Sequence, residues 1–225
     1  MPSLAAFAFA SLLHVSALAS AQTPSLPTDS TRVVKGFGGQ QYAWGKLTRR
    51  KGEVLEAYLP MGNRGFDNLV CYYPSIPENA PLPKPKLLPI TDVQWMRVRG
   101  QYSELLKPVK NDIGRLATRR VAGTVELFVV ESAPPIVMAL GPVPVLGTPA
   151  NPSATPAGPG TTSWFLRRPS GGLVVVEPDK FAQQLATYLA DDQELARKVA
   201  AGQAGYRLEQ IESIIQQYNQ RAQSR

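Results

Sequence analysis

Two proline-dense segments limit what this chain can fold into. Residues 74–89 contain six prolines, and residues 133–163 contain eight prolines, four glycines and no charged side chain. Proline lacks the amide hydrogen that a helix interior or a central strand needs, so both segments are expected to be loops. Regular structure is therefore expected between these loops and in the 48 residues that follow Glu177.

The pieces between the loops have the composition and alternation of β-strands. Residues 42–48 and 53–59 flank Arg50-Lys51-Gly52, which predicts a hairpin with a short glycine-containing turn. Further strands are predicted at residues 69–73, 90–98, 101–106, 125–130, 164–167 and 173–176, the last two joined by a turn at 169–172. Residues 111–120 fit either a helical turn or a strand.

Apolar residues recur at helical spacing in the carboxy-terminal part. The three stripes are Phe181, Leu185 and Leu189, then Leu195 and Val199, then Leu208, Ile211, Ile215 and Tyr218. Gly202 and Gly205 are expected to end the second helix. The stripes predict three neighbouring helices whose apolar sides share a partner, the sheet.

These patterns predict an α+β protein. We expect an antiparallel β-sheet or small barrel of about six to eight strands, followed by a C-terminal segment of about three helices. The expected organisation is a signal peptide at 1–21, a flexible segment at 22–40, a β-rich domain at 41–176 and a helical segment at 177–225 packed on the sheet. The Pro/Gly-rich loop 133–163 is either a mobile insertion or a docking segment in polyproline-like conformation.

The amino terminus has the pattern of an export signal. Residues 1–21 carry no charge, residues 4–15 are almost entirely apolar, and Ala19-Ser20-Ala21 fits a cleavage site before Gln22. The usual positive residues before the apolar core are missing. No later stretch is long and apolar enough to span a bilayer. The sequence therefore predicts an exported protein, located in the periplasm, on the outer surface or in the medium, with no transmembrane segment.

The mature chain would lack several catalytic and metal-binding residue types. The single histidine, His14, lies in the predicted signal, and Cys71 is the single cysteine. Such a chain cannot assemble a Ser-His-Asp or Cys-His centre, a histidine-ligated metal site or a Cys-x-x-Cys redox pair. Cys71 is interpreted as a buried, inert thiol in a strand. No cofactor is predicted.

The positive charge is concentrated before residue 177. Residues 22–176 contain 18 Lys and Arg against 10 Asp and Glu, whereas the whole chain has a net charge of +7. This excess indicates either a polyanion-binding surface or an ordinary solvated basic surface. The residues proposed for polyanion contact are Arg49, Arg50, Lys51, Arg97 and Arg99. No specific nucleic acid is expected as a partner.

A carboxylate-based glycan hydrolase is the enzymatic alternative. Asp67, Asp92 and Glu104 lie near predicted strand ends or loops, and Trp95 or Tyr102 could stack on a sugar. The spacing of these carboxylates does not pair them.

A Ca²⁺ site is a further alternative. It would use Asp191, Asp192 and Glu194. The same carboxylates also fit the first turn of a helix, where they satisfy free N–H groups, and capping is the preferred interpretation.

A set of apolar, aromatic and glycine positions in both halves of the chain forms a recognisable pattern. In the carboxy-terminal part these positions are Phe181, Leu185, Tyr188-Leu189-Ala190-Asp191, Leu195, Val199, Gly202, Tyr206, Leu208, Ile211, Ile214 and Tyr218-Asn219. In the front half they are Gly45-Lys46-Leu47, Gly52, Leu55, Ala57-Tyr58, Trp95, Gly100 and Tyr102. In these positions the chain resembles a group of uncharacterised exported proteins of Bacteroidota-type bacteria. The resemblance implies an exported protein with a β-rich front half and a helical end, and it implies no activity.

The function expected from the sequence is that of a non-enzymatic binding or structural module of the cell envelope or the medium. Its partner would be an unknown protein or an anionic envelope polymer. The alternatives are the glycan hydrolase and a dedicated binder of anionic envelope polymers.

Overall fold

The structure is a computed structural model and describes residues 32–36, 39–62, 68–77, 81–108, 113–132, 136–138, 154–156 and 160–224. The predicted signal peptide at 1–21 and most of the predicted loop at 133–163 lie outside these residues.

The described residues form strands first and helices last. The strands are β1 (Val33–Lys35), β2 (Gln41–Arg49), β3 (Val54–Pro60), β4 (Leu69–Tyr72), β5 (Lys86–Pro89), β6 (Val93–Val98), β7 (Gln101–Leu106), β8 (Arg115–Val121), β9 (Glu126–Ser132), β10 (Ile136–Met138), β11 (Ala154–Pro156), β12 (Thr161–Arg167) and β13 (Leu173–Val175). The helices are α1 (Phe181–Tyr188), α2 (Gln193–Ala200) and α3 (Ile211–Gln223).

Nine of these strands form one antiparallel sheet. Its order is β3, β2, β6, β7, β8, β9, β12 and β13, with β1 beside β6 along the same edge of β2. The sheet is open, since its order runs from one end strand to another. The α+β class and the three C-terminal helices are confirmed. The sheet has nine strands in the described residues, more than the six to eight expected.

A two-residue turn joins β6 to β7 and fixes their register. Arg99 and Gly100 have φ values of +47° and +81°, so both residues adopt the left-handed conformation. Turns of this kind match the twist of an antiparallel pair. Arginine is unusual in such a position, because its Cβ crowds the backbone there.

The helices pack on one face of the sheet. Leu127 and Leu166 lie directly opposite each other on β9 and β12 and pack with the apolar stripes of the helices. The helical residues fully buried in this core are Phe181, Leu185, Leu189, Leu195, Val199, Ile211, Ile214, Ile215 and Tyr218. Burial of each such aliphatic side chain contributes about 1.5–3 kcal/mol, far more than the helix propensity of these short segments.

The β4–β5 hairpin covers the other end of the same face. Val70 and Leu88 lie opposite each other in this hairpin and pack with Leu47, Leu59 and Met96 of the sheet. One face of the sheet therefore has two covers, the hairpin at one end and the helices at the other.

Cys71 lies on β4 and is half-buried beside a cluster of tyrosines. Burial raises the pKa of its thiol. This environment favours the protonated, unreactive thiol that the sequence predicts.

Five strands differ from the sequence-based expectations or decide an open one. β5 lies at the end of the proline-dense segment 74–89, expected to be a loop, and it pairs with β4. β1 lies in the segment expected to be flexible and pairs with β2. β8 shows that residues 115–121 form a strand, which decides the ambiguous segment. β10 and β11 pair with each other inside the predicted loop. Among the described residues, no helix is both long and apolar enough to cross a membrane.

Candidate functional site

A row of four polar or aromatic side chains crosses the sheet on the face away from the helices. Lys46 of β2 lies opposite Arg97 of β6, and Arg97 lies opposite Tyr102 of β7. Arg119 of β8 continues the row, because its neighbour Thr118 pairs with Ser103, the neighbour of Tyr102. Residues opposite each other on adjacent strands share one face of a sheet. The row therefore belongs to a single surface.

Trp95 lies beside this row, two residues before Arg97 on β6. The rings of Trp95 and Tyr102 stack with 6.1 Å between centroids and 27° between planes. The guanidinium groups of Arg119 and Arg97 lie over the Tyr102 ring at 4.5 and 5.9 Å. We call Lys46, Trp95, Arg97, Tyr102 and Arg119 the basic–aromatic face.

Two carboxylates and one arginine fix Tyr102 and Arg119 from the side. The hydroxyl of Tyr102 donates to Glu104 Oε2 at 2.8 Å, and Arg119 donates to Glu126 Oε1 at 2.7 Å. Arg167 donates to Glu104 and also to Glu126, the latter at 2.8 Å from its Nε. Burial and the hydrogen bond to Glu104 raise the pKa of Tyr102 to about 12. Tyr102 is therefore a neutral phenol held in one orientation at neutral pH.

Lys46 and Arg97 differ from Arg119, the third cation of this face, which is paired with Glu126. Both are exposed, and no ion pair within 4.0 Å involves either of them among the residues that the structure describes. Glu56 of β3 lies opposite Lys46 on its other side and is also exposed. Two cations and one carboxylate are thus presented to solvent on three adjacent strands, and Arg97 among them is two residues from Trp95 on β6.

The residues predicted for polyanion contact fall into two places. Arg49, Arg50 and Lys51 lie together at the β2–β3 turn, around a cavity of about 310 Å³ that is also lined by Glu53 and Asp92. Arg49 is engaged there by Glu53 at 2.7 Å and by Asp92 at 3.8 Å.

The other two predicted residues lie further along β6. Arg97 belongs to the basic–aromatic face, and Arg99 occupies the β6–β7 turn. Since Val93 pairs with Arg49, Arg99 lies six residues beyond that point, or about 20 Å along the strand. The structure therefore does not gather all five residues into one patch.

The predicted hydrolase carboxylates do not form a cleft pair in the described residues. Asp67 lies outside those residues, and Asp92 lies beside Arg49. Glu104 approaches another carboxylate, Glu126, but the guanidinium of Arg167 lies between them and binds both. That guanidinium occupies the space that a glycosidic oxygen or a water molecule would need.

The acidic residues at the start of α2 are engaged by protein groups. Asp192 caps α2 by accepting a hydrogen bond from the Leu195 amide at 3.1 Å, which confirms the capping interpretation for this residue. Asp191 accepts from Arg168 and Tyr218, and Glu194 pairs with Lys198 and Arg221. Within the described ranges, no group of three or more His, Cys, Asp or Glu side chains is arranged to hold a metal ion.

The sequence pointed to Arg97 as a polyanion contact and to Trp95 and Tyr102 as possible sugar-stacking residues. It did not place Lys46 or Arg119 beside them. Lys46 precedes Leu47, which is buried in the core. Because successive side chains of a strand point to opposite faces, Lys46 belongs to the face away from that core. That pattern was the available signal. The alternation within one strand does not encode which strand pairs with β2 or in which register.

Comparison with protein-family models, with curated proteins and with solved structures gave no match. The fold and the site define an α+β protein with an open antiparallel sheet, one face covered by helices and a hairpin, the other carrying a basic–aromatic surface.

Proposed function

We propose that this chain is a non-enzymatic binding module whose ligand is anionic and contacts the basic–aromatic face. One observation carries the proposal. Lys46 and Arg97 lie side by side, exposed and without an ion pair in the described residues, next to the stacked rings of Trp95 and Tyr102. Cations without an ion-pair partner in the described part of the chain are suited to binding an anionic ligand.

The surroundings of this surface favour binding over catalysis. Arg119 and Arg167 bind Glu104 and Glu126, so the two carboxylates beside Tyr102 already have partners. The same contacts hold Tyr102 and Arg119 in place before any ligand arrives. A preorganised surface loses less conformational entropy on binding.

The net charge of +7 supports an anionic ligand. Basic charge spread over the chain attracts anions from a distance, and the local pair Lys46 and Arg97 then contacts them. An exported location, as the amino-terminal sequence predicts, would place the module among charged envelope polymers. Mass determination of the secreted chain tests that location, since cleavage after Ala21 would make Gln22 the first residue.

Binding of the full chain to dextran sulfate, measured over a salt series, tests the proposal. We expect binding to weaken steeply as salt rises, because bound counterions are released from the polymer. Replacement of Lys46 and Arg97 by Gln should weaken binding about tenfold or more and flatten the salt dependence.

A matched control separates this surface from overall charge. Arg197→Gln with Arg207→Gln removes the same two charges from the exposed surface of the helical segment. We expect this variant to bind almost as the parent does. Equal losses in both variants, or binding that does not respond to salt, would contradict the proposal.

A further inference from the structure

Trp95 presents a half-buried indole ring on the basic–aromatic face. The rings of Tyr102, Phe128, Tyr188 and Tyr218 each have an arginine over them. Among the described residues, no Lys or Arg lies over the Trp95 ring, which is half-buried and touches Tyr102. An aromatic surface held in place but not fully covered is suited to stacking on a flat partner.

Besides Glu104, which lies directly opposite Trp95, the exposed charges on the strand of Trp95 and on the next two strands are of both signs. Arg97 follows two residues later on the same strand, Lys46 lies beside Arg97, and the exposed Glu56 lies beside Lys46. Arg97 and Lys46 are donors with no acceptor function, and Glu56 is an acceptor. The surface therefore offers a stacking ring, two cationic donors and one anionic acceptor within three adjacent strands.

We propose that the ligand of the basic–aromatic face is an anionic polysaccharide. A sugar ring stacks on Trp95, the acidic groups of the polymer bind Arg97 and Lys46, and a sugar hydroxyl donates to Glu56. This inference rests on the proposed function and specifies the ligand of the same site.

The mixed charge favours a polysaccharide over a polyphosphate. A chain of closely spaced phosphates has no donor groups and would be repelled by Glu56. A polysaccharide carries hydroxyl donors between its acidic groups and can satisfy all three charged side chains. A single-stranded nucleic acid would also stack on Trp95, but its phosphates meet the same repulsion.

Four probes of different chemistry test the inference on the full chain. Polygalacturonate has rings and carboxylates, polyphosphate has charge without rings, dextran has rings without charge, and oligo(dT) has both bases and phosphates. We expect polygalacturonate to bind at least about tenfold more tightly than each of the other three at equal salt.

Substitution of Trp95 adds a test of the stacking. Trp95→Ala should weaken polygalacturonate binding about tenfold and leave polyphosphate binding unchanged, because only the ring contact is lost. Trp95→Phe keeps an aromatic ring and should retain most of the affinity, which separates stacking from misfolding. Trp164→Ala is the matched control, since Trp164 packs on the helix-covered side of the sheet.

Each other outcome overturns the inference in a distinguishable way. Equal binding of polyphosphate, with no effect of Trp95→Ala, would show recognition of charge alone and leave the proposed function standing. Tighter binding of oligo(dT) that depends on Trp95 would identify a nucleic-acid face instead. Failure of all four probes and of dextran sulfate to bind would reject the proposed function together with the inference.

Discussion

Asn219 hydrogen-bonds both backbone groups of Val125, a residue 94 positions earlier in the chain. Its Oδ1 accepts from the Val125 N–H at 2.8 Å, and its Nδ2 donates to the Val125 carbonyl at 2.8 Å. Val125 directly precedes β9, and Asn219 is only 4% exposed. The side-chain amide of Asn219, on α3, thus serves as the hydrogen-bonding partner of the buried backbone just before β9. It joins the helical segment to the sheet.

Asn219→Ala should lower the free energy of unfolding by about 3 kcal/mol. The substitution leaves a buried N–H and a buried carbonyl without partners, and each such group costs about 1–3 kcal/mol. Urea denaturation measures the loss. Gln220→Ala changes an exposed neighbour on the same helix and should stay within about 0.5 kcal/mol of the parent. A similar stability for both variants would show that the Asn219 contact is not required.

Gly123→Ala should also destabilise the protein, by about 2–4 kcal/mol. Gly123 has φ +150°, and a Cβ there would lie 2.6 Å from the Asn219 side chain. Both the strain and the displacement of Asn219 contribute. Gly172→Ala is the control, because its Cβ would meet no atom within 4 Å. Thermal denaturation of the two variants tests the difference, and equal midpoints would contradict it.

Arg167→Leu should cost about 2 kcal/mol at neutral pH, less than the 3–5 kcal/mol for a fully buried pair because Arg167 is 31% exposed. The loss arises because Glu104 and Glu126 then face each other without the guanidinium. Adding Glu104→Gln should recover part of the loss by removing one of the two charges. Arg120→Leu breaks exposed pairs with Glu131 and Glu212 and should cost less than about 1 kcal/mol. A double-mutant cycle in urea decides whether the coupling exists.

Stability should fall between pH 10 and pH 12. Burial is the main cause that raises the pKa values of Tyr42 and Tyr102 from 10.0 to about 12. Both phenols hold their protons more tightly in the folded chain, so this stability is complete below pH 10 and is lost as pH rises through 12. Tyrosinate absorbance should show both phenols titrating late. Tyr102→Phe should remove one late-titrating group, and an unchanged titration would refute the assignment.

Asp192→Ala should cost about 1–2 kcal/mol, because the first turn of α2 loses its cap. Asp192→Asn keeps a capping oxygen and should cost less, although it weakens the contact with Arg221. Asp179→Ala removes an exposed carboxylate before α1 and provides the comparison. If all three variants have the same denaturation midpoint, the cap does not stabilise the helix.

Several local features followed from the sequence because neighbouring residues determine them. The turn after β2 contains Arg50-Lys51-Gly52, and the structure has a hairpin there. The three apolar stripes became three helices, and Asp192 became the cap of the second. Each depends on periodicity or on backbone groups within a few residues.

Features that depend on residues far away in the chain did not follow from the sequence. Val33–Lys35 is too short to be recognised, and it forms a strand because β2 offers an open edge there. Residues 115–121 have no clear pattern of their own, but they pair with β7 on one side and β9 on the other. Tertiary pairing outweighs weak local preference in both cases.

The sequence by itself determined the α+β class, the three helices and most strands, since each is encoded by local periodicity and by the positions of proline and glycine. Only the tertiary structure decided the candidate site. Lys46, Arg97, Tyr102 and Arg119 come from four strands, and they share a face because of the register between those strands. A shift of one residue in any strand would move its member to the helix-covered side, so pairing across the sheet, not the pattern within a strand, creates the surface.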